Sequence, residues 1–273
     1  MIATLTDVLT PCLTDGTAVA GLVVLGWEDA CAYVAAAEAE GRALILQAGP
    51  ACRAHTPLPI LGAMFRVLAE GASVPIVAHL DHGEGLAVCA QAIDCGFTSV
   101  MYDGSALPLT ENIARTAEVV AMAHARGVSV EGELGFVGYL GGAQSLGTDP
   151  AQVARFHAET GVDALAVSIG NSHLMTAPGA TVDWPRLRAI QAAAPTLPLV
   201  LHGGSGLDPA LRNRLARETT VCKFNIGTEL RQAFGAALRQ ALTDPARFDR
   251  NQILTDTIAP MTAAARRAIA SVT

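Results

Sequence analysis

The chain has 273 residues, of which 51% are hydrophobic, and carries a formal net charge of −7. This length can bury a large core, and the 18 basic residues do not cluster, so neither nucleic acid nor an anionic membrane is an expected partner. The six cysteines are scattered without a Cys-x-x-Cys pair, and the N-terminus is not signal-like, so we expect a cytoplasmic protein with reduced thiols.

Residues 1–15 are predicted to form a short helix, and an alternation of strands and helices follows. The strand segments are nearly continuous in apolar residues, which is typical of parallel strands buried on both faces. The predicted strands are Ala18–Leu25, Ala43–Ala48, Pro75–Leu80, Thr98–Tyr102, Val128–Leu134, Ala164–Ile169, Pro198–His202 and Val221–Ile226. The predicted helices include Trp27–Glu40, Leu86–Asp94, Leu109–Ala125, Ala151–Thr160, Trp184–Ala194, Asp208–Thr219, Thr228–Leu242 and Thr255–Ser271.

This strict alternation of eight strands with helices predicts an α/β fold, a (β/α)8 TIM barrel that forms one domain over residues 1–273. The last two helices are more than a bare barrel requires, and we expect them to form a rim or a dimer arm. A doubly wound open sheet is the alternative, because a count of strands does not establish that the sheet closes.

Polar residues fall at the carboxyl ends of these strands, where barrel enzymes carry their chemistry. In chain order they are Asp81, His82, Asp103, Glu131, Glu133, His173, His202 and Asn225. Three neutral imidazoles bind a borderline-soft divalent metal, usually zinc, and leave a position open for substrate. The pattern therefore predicts that His82, His173 and His202 hold a metal beside the acid Asp81.

Each of these residues also has a structural interpretation. A histidine at a strand end is often only a hydrogen-bonded loop residue, and Asp81 could orient His82 as a supporting carboxylate. Asp103 could form a turn, and Glu133 could pair with a lysine or an arginine. His79 lies on the same face of its strand as Asp81 and is expected to line the site without binding metal.

Two glycine-rich turns predict a phosphate-binding cradle. Gly203-Gly204-Ser205-Gly206 follows the seventh strand, and three of its four positions lack a Cβ that would block backbone approach. Asn225-Ile226-Gly227-Thr228 ends the eighth strand and opens a helix, so its N–H groups point at the barrel mouth. Barrel phosphates are often held by these same two loops. An acid beside a metal and an anion cradle suggests C–C bond chemistry on a sugar phosphate.

Five segments, in the same order and over nearly the whole chain, resemble those of the class II (metal-dependent) ketose-bisphosphate aldolases. That family includes the enzymes for fructose- and tagatose-1,6-bisphosphate. The segments are His79–Gly83, Ser99–Ser105, Val130–Gly135, His202–Leu207 and Lys223–Leu230. By this resemblance Asp81 is the catalytic acid/base. The implied ligands of a catalytic Zn²⁺ are His82, His173 and His202.

The resemblance implies further sites. Asp103 and Glu133 match positions that bind a second divalent metal, or an alternative zinc position, in some members. The implied substrate-binding positions, for dihydroxyacetone phosphate above all, are Leu174, Gly203, Gly204, Ser205, Asn225, Ile226, Gly227 and Thr228. The family often needs Na⁺ or K⁺ and is usually dimeric or tetrameric, so we expect a homodimer or a homotetramer.

Departures from the family pattern lie near the substrate. Leu174 stands where the family typically has glycine after its second metal histidine, which adds bulk and restricts φ. Leu22-Val23 replaces a Phe-Asn pair, and Gln47-Ala48-Gly49 lacks the usual hydroxyl residue. The loop Phe136–Thr148 is short and contains no carboxylate, so the family's loop acid has no evident replacement.

The expected reaction is a reversible aldol cleavage of a phosphorylated ketose to dihydroxyacetone phosphate and an aldehyde. The metal acts as a Lewis acid, Asp81 takes the C4 hydroxyl proton during cleavage, and the cradle fixes the C1 phosphate. A Schiff base at Lys223 is the less favoured route. A divergent lyase or isomerase for an unusual ketose phosphate, and a catalytically silent sugar-phosphate sensor, are the alternatives.

Overall fold

The computed structural model describes residues 1–138, 141–142 and 144–273 and confirms the predicted barrel. Its parallel strands are β1 (Val19–Val23), β2 (Leu44–Ala48), β3 (Ile76–Gly83), β4 (Ser99–Tyr102), β5 (Ser129–Leu134), β6 (Ala164–Val167), β7 (Leu199–Leu201) and β8 (Val221–Ile226). Each strand pairs with the next, and β8 pairs with β1 with Asn225 opposite Gly21. The sheet is therefore closed, and the open doubly wound alternative was wrong.

The helices form the outer layer of the barrel. They are α1 (Leu5–Asp15), α2 (Trp27–Glu40), α3 (Pro50–His55), α4 (Leu58–Gly71), α5 (Leu86–Asp94), α6 (Leu109–His124), α7 (Pro150–Thr160), α8 (Trp184–Ala193), α9 (Pro209–Glu218), α10 (Thr228–Ala241) and α11 (Arg250–Ala270). Among the described residues, no helix is both long and apolar enough to span a membrane.

The C-terminal helix α11 packs against α2 and α10. Its contact face buries Met261, Ala265 and Ile269. It therefore covers the barrel wall, whereas the sequence suggested a rim or a dimer arm. The helix also begins five residues earlier than the predicted Thr255, at Arg250, because the Asp249 side chain caps it by accepting a hydrogen bond from the Gln252 N–H.

Two further segments differ from the expectation. The N-terminal region begins with a two-residue strand, Ile2–Ala3, which pairs with the start of β3 before α1 begins. Between β2 and β3 the chain forms two helices, α3 and α4. The break falls at Thr56, which is extended with φ −125° and ψ 119°, because the proline that follows disfavours helical backbone at the preceding residue.

The barrel interior is apolar at one end and polar at the other. Towards the amino ends of the strands lies an apolar cluster that contains Val19, Ile45, Val77, Met101, Ala164, Ala166, Val200 and Cys222, and α1 packs Leu5, Val8, Leu9 and Cys12 against it. Above it lies a polar cluster of fully buried side chains, Gln47, His79, Ser99, Glu131 and Lys223. Because side chains two residues apart on a strand face the same side, Asp81 lies one step nearer the barrel mouth than His79.

Candidate metal centre and phosphate cradle

The three predicted metal-binding histidines converge at the carboxyl end of the barrel. His82 is near the end of β3, while His173 follows β6 and His202 follows β7. One ring nitrogen from each lies within 4.8 Å of the others. The ring centroids are 4.6 to 5.5 Å apart. Barrel closure thus brings together three imidazoles that are distant in the sequence.

The end of β3 has an unusual backbone conformation. His82 has a φ of 50°, in the left-handed region that non-glycine residues seldom occupy. The guanidinium of Arg53, on α3, donates hydrogen bonds to the carbonyls of Ala48 (2.9 Å), Asp81 (2.6 Å) and His82 (3.0 Å). This clamp fixes the strand end that carries the acid and the first metal ligand. Sequence reasoning missed Arg53, because contacts to backbone leave no side-chain motif.

A second cluster that could hold a metal shares His82 with the first. Its members are His82, Asp103 and Glu133, with ligand atoms within 4.8 Å of one another. His82 Nδ1 lies 2.8 Å from Asp103 Oδ2 and 3.7 Å from Glu133 Oε2. The other oxygen of Asp103 accepts hydrogen bonds from the N–H and hydroxyl of Ser105. Asp103 thus both shapes a turn and faces the site. The basic side chain next to Glu133 is His82, not the lysine or arginine that the structural interpretation suggested.

Asp81 lies at the bottom of the cavity, 6% exposed. Its Oδ1 accepts a hydrogen bond from Asn225 Nδ2 at 3.1 Å, and its Oδ2 is oriented towards Gly49, where a Cβ would lie 3.5 Å away. The carboxylate hydrogen-bonded to His82 is therefore that of Asp103, which removes the main support for Asp81 as an orienting residue. Burial tends to raise the pKa of Asp81, but His82, His202 and Lys223 outweigh it and hold that pKa below its ordinary value.

The arrangement of charges fits a divalent cation. Burial lowers the pKa of His202, and burial with two neighbouring imidazoles lowers that of His173 to about 3, so both rings are neutral as ligands must be. Burial also opposes protonation of His82, but Asp81 and two further carboxylates raise its pKa to about 10. A metal ion would compete with that proton for the same negative surroundings.

Hydrogen bonding at His202 supports the same interpretation. Its Nε2 lies 3.3 Å from Glu131 Oε1. Its Nδ1 is buried and makes no hydrogen bond to any residue in the described ranges. An unsatisfied ring nitrogen beside two other imidazoles is typical of a metal ligand whose other nitrogen is held by a carboxylate.

The predicted phosphate cradle is formed by the loops after β7 and β8. Gly203 has a φ of 67°, and a Cβ there would lie 2.1 Å from the Ser172 carbonyl oxygen, so only glycine fits. Ser205 Oγ accepts hydrogen bonds from the N–H groups of Gly227 (3.4 Å) and Glu229 (3.3 Å), which ties the two loops together. This places the N-terminus of α10, which favours anions, beside the glycine turn.

A cavity of about 160 Å³ lies over these groups. Of the predicted site residues, it is lined by Asp81, His82, His173, Leu174, Gly203, Ser205, Asn225, Gly227 and Thr228. The predicted metal ligands His202, Asp103 and Glu133 do not line it. Neither do the predicted Gly204 and Ile226. Both are buried, and a Cβ at Gly204 would lie 2.9 Å from the Asn225 carbonyl oxygen and 3.0 Å from Ile226 Cγ1. They support the cradle from behind.

Leu174 adopts the backbone conformation that its position in the family suggests. Its φ is 60°, and the side chain is 51% exposed at the cavity. A left-handed conformation costs a non-glycine residue roughly 1–2 kcal/mol. The leucine therefore occupies a position that suits glycine, directly after the metal-ligand candidate His173.

Sequence reasoning did not find the contacts of the polar cluster. Lys223 Nζ lies 2.6 Å from Glu131 Oε2 and 3.2 Å from His79 Nε2, and all three side chains are fully buried. Lys223 does not line the cavity, which counts against the Schiff-base route. His79 likewise sits beneath the site, with Nδ1 2.8 Å from Ser99 Oγ.

The loop after β5 was expected to lack an acid. Phe136 and Leu146 pair through two backbone hydrogen bonds of 2.8 Å, so the described parts of this loop begin and end as a hairpin. Tyr139, Leu140 and Ala143 lie outside the described residues.

Comparisons with known proteins agree with this geometry. A 6-phospho-5-dehydro-2-deoxy-D-gluconate aldolase from Shouchella clausii (strain KSM-K16) is 41% identical over 193 residues, which span 70% of this chain and 64% of that protein's length. The YdjI aldolase from Escherichia coli K12 is 28% identical in sequence, and its crystal structure matches with a TM-score of 0.87 over 100% of this chain and 97% of that one.

A more distant structure shares the fold. The fructose-bisphosphate aldolase of Campylobacter jejuni is 21% identical and matches with a TM-score of 0.82 over 99% of this chain and 95% of that one. The family model for class II fructose-bisphosphate aldolases matches residues 3–273. The chain therefore belongs to the class II fructose-bisphosphate aldolase family and is built on a (β/α)8 barrel.

Proposed function

We propose that this protein is a zinc-dependent aldolase that reversibly cleaves a phosphorylated ketose to dihydroxyacetone phosphate and an aldehyde. The observation that carries the proposal is the convergence of His82, His173 and His202, with ligand nitrogens within 4.8 Å. His82 and His173 line one cavity with the buried Asp81 and the glycine-rich cradle. His202 is fully buried next to their rings. A metal centre, a carboxylate and an anion site together are what a metal-dependent aldol reaction requires.

The histidine trio would hold the catalytic Zn²⁺, and Asp103 and Glu133 would serve a second divalent ion or an alternative position. When bound, the metal supplies Lewis-acid chemistry that stabilises negative charge left on the donor after the C–C bond breaks. Imidazole ligands also suit other first-row divalent metals. Zinc is favoured because three histidines with an open position are the usual catalytic zinc set.

The C1 phosphate is assigned to the cradle. Because Ser205 Oγ accepts hydrogen bonds from two backbone N–H groups, its own hydrogen can be donated to a phosphate oxygen. The N-terminus of α10 at Gly227 and Thr228 adds favourable dipole charge. When the phosphate is bound, C3 and C4 are held in position. The entropy of orienting them is then lost on binding and not in the chemical step.

Asp81 is assigned the proton transfer at the C4 hydroxyl. Its lowered pKa keeps it ionised, which is the form that can accept a proton during cleavage. The hydrogen bond from Asn225 holds one oxygen, which leaves Oδ2 for the substrate. In the condensation direction Asp81 returns the same proton to the aldehyde oxygen.

An arginine lies beside the part of the cavity that is assigned to the C1 phosphate. Arg231 lines the cavity, and its guanidinium donates a hydrogen bond to Thr228 Oγ1 at 3.0 Å. A guanidinium recognises both carboxylate and phosphate. The relative from Shouchella clausii is named for a substrate that carries both groups. The family resemblance and this relative make ketose bisphosphates and phosphorylated keto acids the two substrate classes to compare.

The test is a panel of phosphorylated ketoses, assayed for release of dihydroxyacetone phosphate and aldehyde. We expect cleavage of at least one bisphosphate or phosphorylated keto acid, loss of activity with a chelator, and recovery with Zn²⁺. Turnover that a chelator leaves unchanged would overturn the metal assignment. Borohydride added with substrate should trap no adduct on Lys223, because that lysine lies outside the cavity.

Two results would favour the alternatives. Conversion of a ketose phosphate without release of dihydroxyacetone phosphate would favour a divergent lyase or isomerase with a different donor. Tight binding of sugar phosphates with no turnover would favour a sensor. We further propose a cytoplasmic homodimer or homotetramer, and a monovalent cation, Na⁺ or K⁺, as an additional requirement. Sedimentation tests the oligomeric state. Activity measured with each cation tests the cation requirement.

A further inference from the structure

A chain of contacts runs from the candidate metal centre into the barrel core. His202 Nε2 lies 3.3 Å from Glu131 Oε1, and Glu131 Oε2 lies 2.6 Å from Lys223 Nζ. Lys223 continues to His79 Nε2 at 3.2 Å, and His79 Nδ1 reaches Ser99 Oγ at 2.8 Å. His202, Glu131, Lys223 and His79 are all fully buried. The proposed reaction uses only His202 of this path. Glu131, Lys223, His79 and Ser99 have no role in it.

The directions of these hydrogen bonds are fixed by chemistry. The Lys223 ammonium has donors and no acceptor, so it donates to Glu131 Oε2 and to His79 Nε2. His79 then carries its proton on Nδ1 and donates it to Ser99. The Glu131 carboxylate, neutralised by the ammonium, is an acceptor only. Its Oε1 therefore accepts from His202, which places the His202 proton on Nε2.

The consequence for His202 is a single tautomer. With the proton on Nε2, the lone pair of the ring lies on Nδ1. This nitrogen is the one that is buried without a hydrogen bond to any described residue, and it belongs to the ring that joins His82 and His173. The ring is thus oriented for a metal before any metal arrives.

We propose that Lys223 is a positioning residue for metal binding, acting through Glu131 to hold His202 in the Nε2–H tautomer with Nδ1 directed at the ion. This rests on the proposed function, in which His202 is a metal ligand. Without the ammonium, the Glu131 carboxylate would be an uncompensated charge in the core, and its hydrogen bond to His202 would lose its fixed geometry. Outer partners of this kind typically contribute 10- to 100-fold in metal affinity.

The barrel also explains why a lysine fits at this depth. Gly21 on β1 lies beside the polar cluster, and a Cβ there would lie 1.7 Å from Gln47 Oε1 and 3.1 Å from Lys223 Cε. The missing side chain gives Lys223 room to extend across the barrel from β8 to Glu131 on β5. An aliphatic residue in place of Lys223 could fill this space without supplying the charge.

The first experiment uses the wild-type protein without metal. Nitrogen chemical shifts of ¹⁵N-labelled histidine should show His202 protonated on Nε2, and a dominant Nδ1–H form would overturn the proposal. The second measures Zn²⁺ affinity by competition with a chelating dye. Lys223→Met is expected to bind Zn²⁺ about 10- to 100-fold more weakly than wild type.

Gln47→Met is the matched control. Gln47 is equally buried in the same cluster, but its side chain makes no hydrogen bond to the described residues, so this variant should keep wild-type Zn²⁺ affinity within about twofold, a margin well below the outer-partner effect. If folded Lys223→Met binds Zn²⁺ as tightly as wild type does, the role of Lys223 is overturned and the proposed function is not. Failure of the wild-type protein to bind any divalent metal would overturn the proposed function together with it.

Discussion

The two ends of the barrel interior are built from the same strands but have opposite chemistry. At the amino ends α1 closes the barrel with Leu5 and Leu9, which pack against apolar side chains. At the carboxyl ends the interior is filled with imidazoles, carboxylates and one lysine, each with a specific partner. The amino end therefore stabilises the fold through apolar packing, whereas the carboxyl end contains the buried charges, which are unfavourable for folding.

The apolar end mainly serves folding, and the polar end mainly serves the candidate site. At the apolar end, burial stabilises the folded protein by about 25 cal/mol per Å² of apolar surface. The polar end keeps charges buried that are costly unless they are paired. Mutations at the two ends should therefore affect different measurements, and the following variants test that separation.

The largest effect is expected for Asp81→Asn at the polar end. Asparagine keeps the shape, and its oxygen can still accept the hydrogen bond from Asn225, but it cannot take a proton. We expect kcat to fall by about 10²- to 10⁴-fold, with Zn²⁺ content and urea midpoint unchanged. Asp15→Asn, on an exposed carboxylate at the end of α1, is the control and should keep full activity. Equal kcat in the two variants would move the proton transfer to another group.

The converse is expected for Leu9→Ala at the apolar end. Leu9 is 1% exposed, so its truncation leaves a cavity against the barrel floor. The free energy of unfolding should fall by about 2–5 kcal/mol, measured by urea denaturation, while kcat of the folded enzyme stays at the wild-type value. Thr10→Ala, on the exposed side of the same helix, should change stability little. A loss of kcat in folded Leu9→Ala would show that the two ends are coupled.

A pH-dependent effect is expected from His79. Burial, and then the charge of Lys223, lower its pKa to about 3 from 6.5. The unfolded chain therefore takes up a proton below about pH 6.5 that the folded protein does not bind until about pH 3. Stability is lost as the pH falls through this window, by about 1.4 kcal/mol per pH unit at its steepest.

His79→Gln should remove this contribution, since glutamine can still accept from Lys223 and donate to Ser99 but does not titrate. In the metal-free protein we expect a shallower decline of the free energy of unfolding between about pH 6 and pH 4. Urea denaturation at each pH measures it. An identical decline in wild type and variant would mean that His79 is protonated in the folded state.

The smallest effect is expected at Leu174. Its φ of 60° suits glycine, and the side chain is half exposed, so little burial is lost on its removal. Leu174→Gly should stabilise the protein by about 1 kcal/mol, the relief of left-handed strain less the entropy of an added glycine. Leu174→Ala keeps the Cβ and its strain, and it should not stabilise. Equal stability of the two variants would remove strain as the explanation.

Much of the fold followed from local patterns. The eight strands and most helices were predicted within a few residues, because buried parallel strands have continuous apolar runs and Asp-Pro or glycine marks the helix ends. The break between α3 and α4 and the two-residue strand at Ile2 were missed. Both depend on a few residues whose conformation is set by their neighbours in space.

The candidate site was predicted in part. The histidine trio, Asp103 and Glu133 were found from their places at strand ends and from the family resemblance, and the structure groups them in two clusters. Arg53 was missed because it contacts only backbone carbonyls. Glu131 was noticed without a role, because its partners, His202 and Lys223, lie 71 and 92 residues away along the chain.

The sequence alone determined which residue types stand at the carboxyl end of each strand, and that is enough to place an acid, imidazoles and glycine turns at one face of a barrel. Closure of the sheet between β1 and β8, the left-handed backbone at His82 and Leu174, and the path from Lys223 to His202 were decided by the tertiary structure. The physical reason is range: periodicity and turn chemistry act over a few residues, whereas hydrogen bonds across the barrel join strands far apart in the chain, and only the closed fold sets their distances.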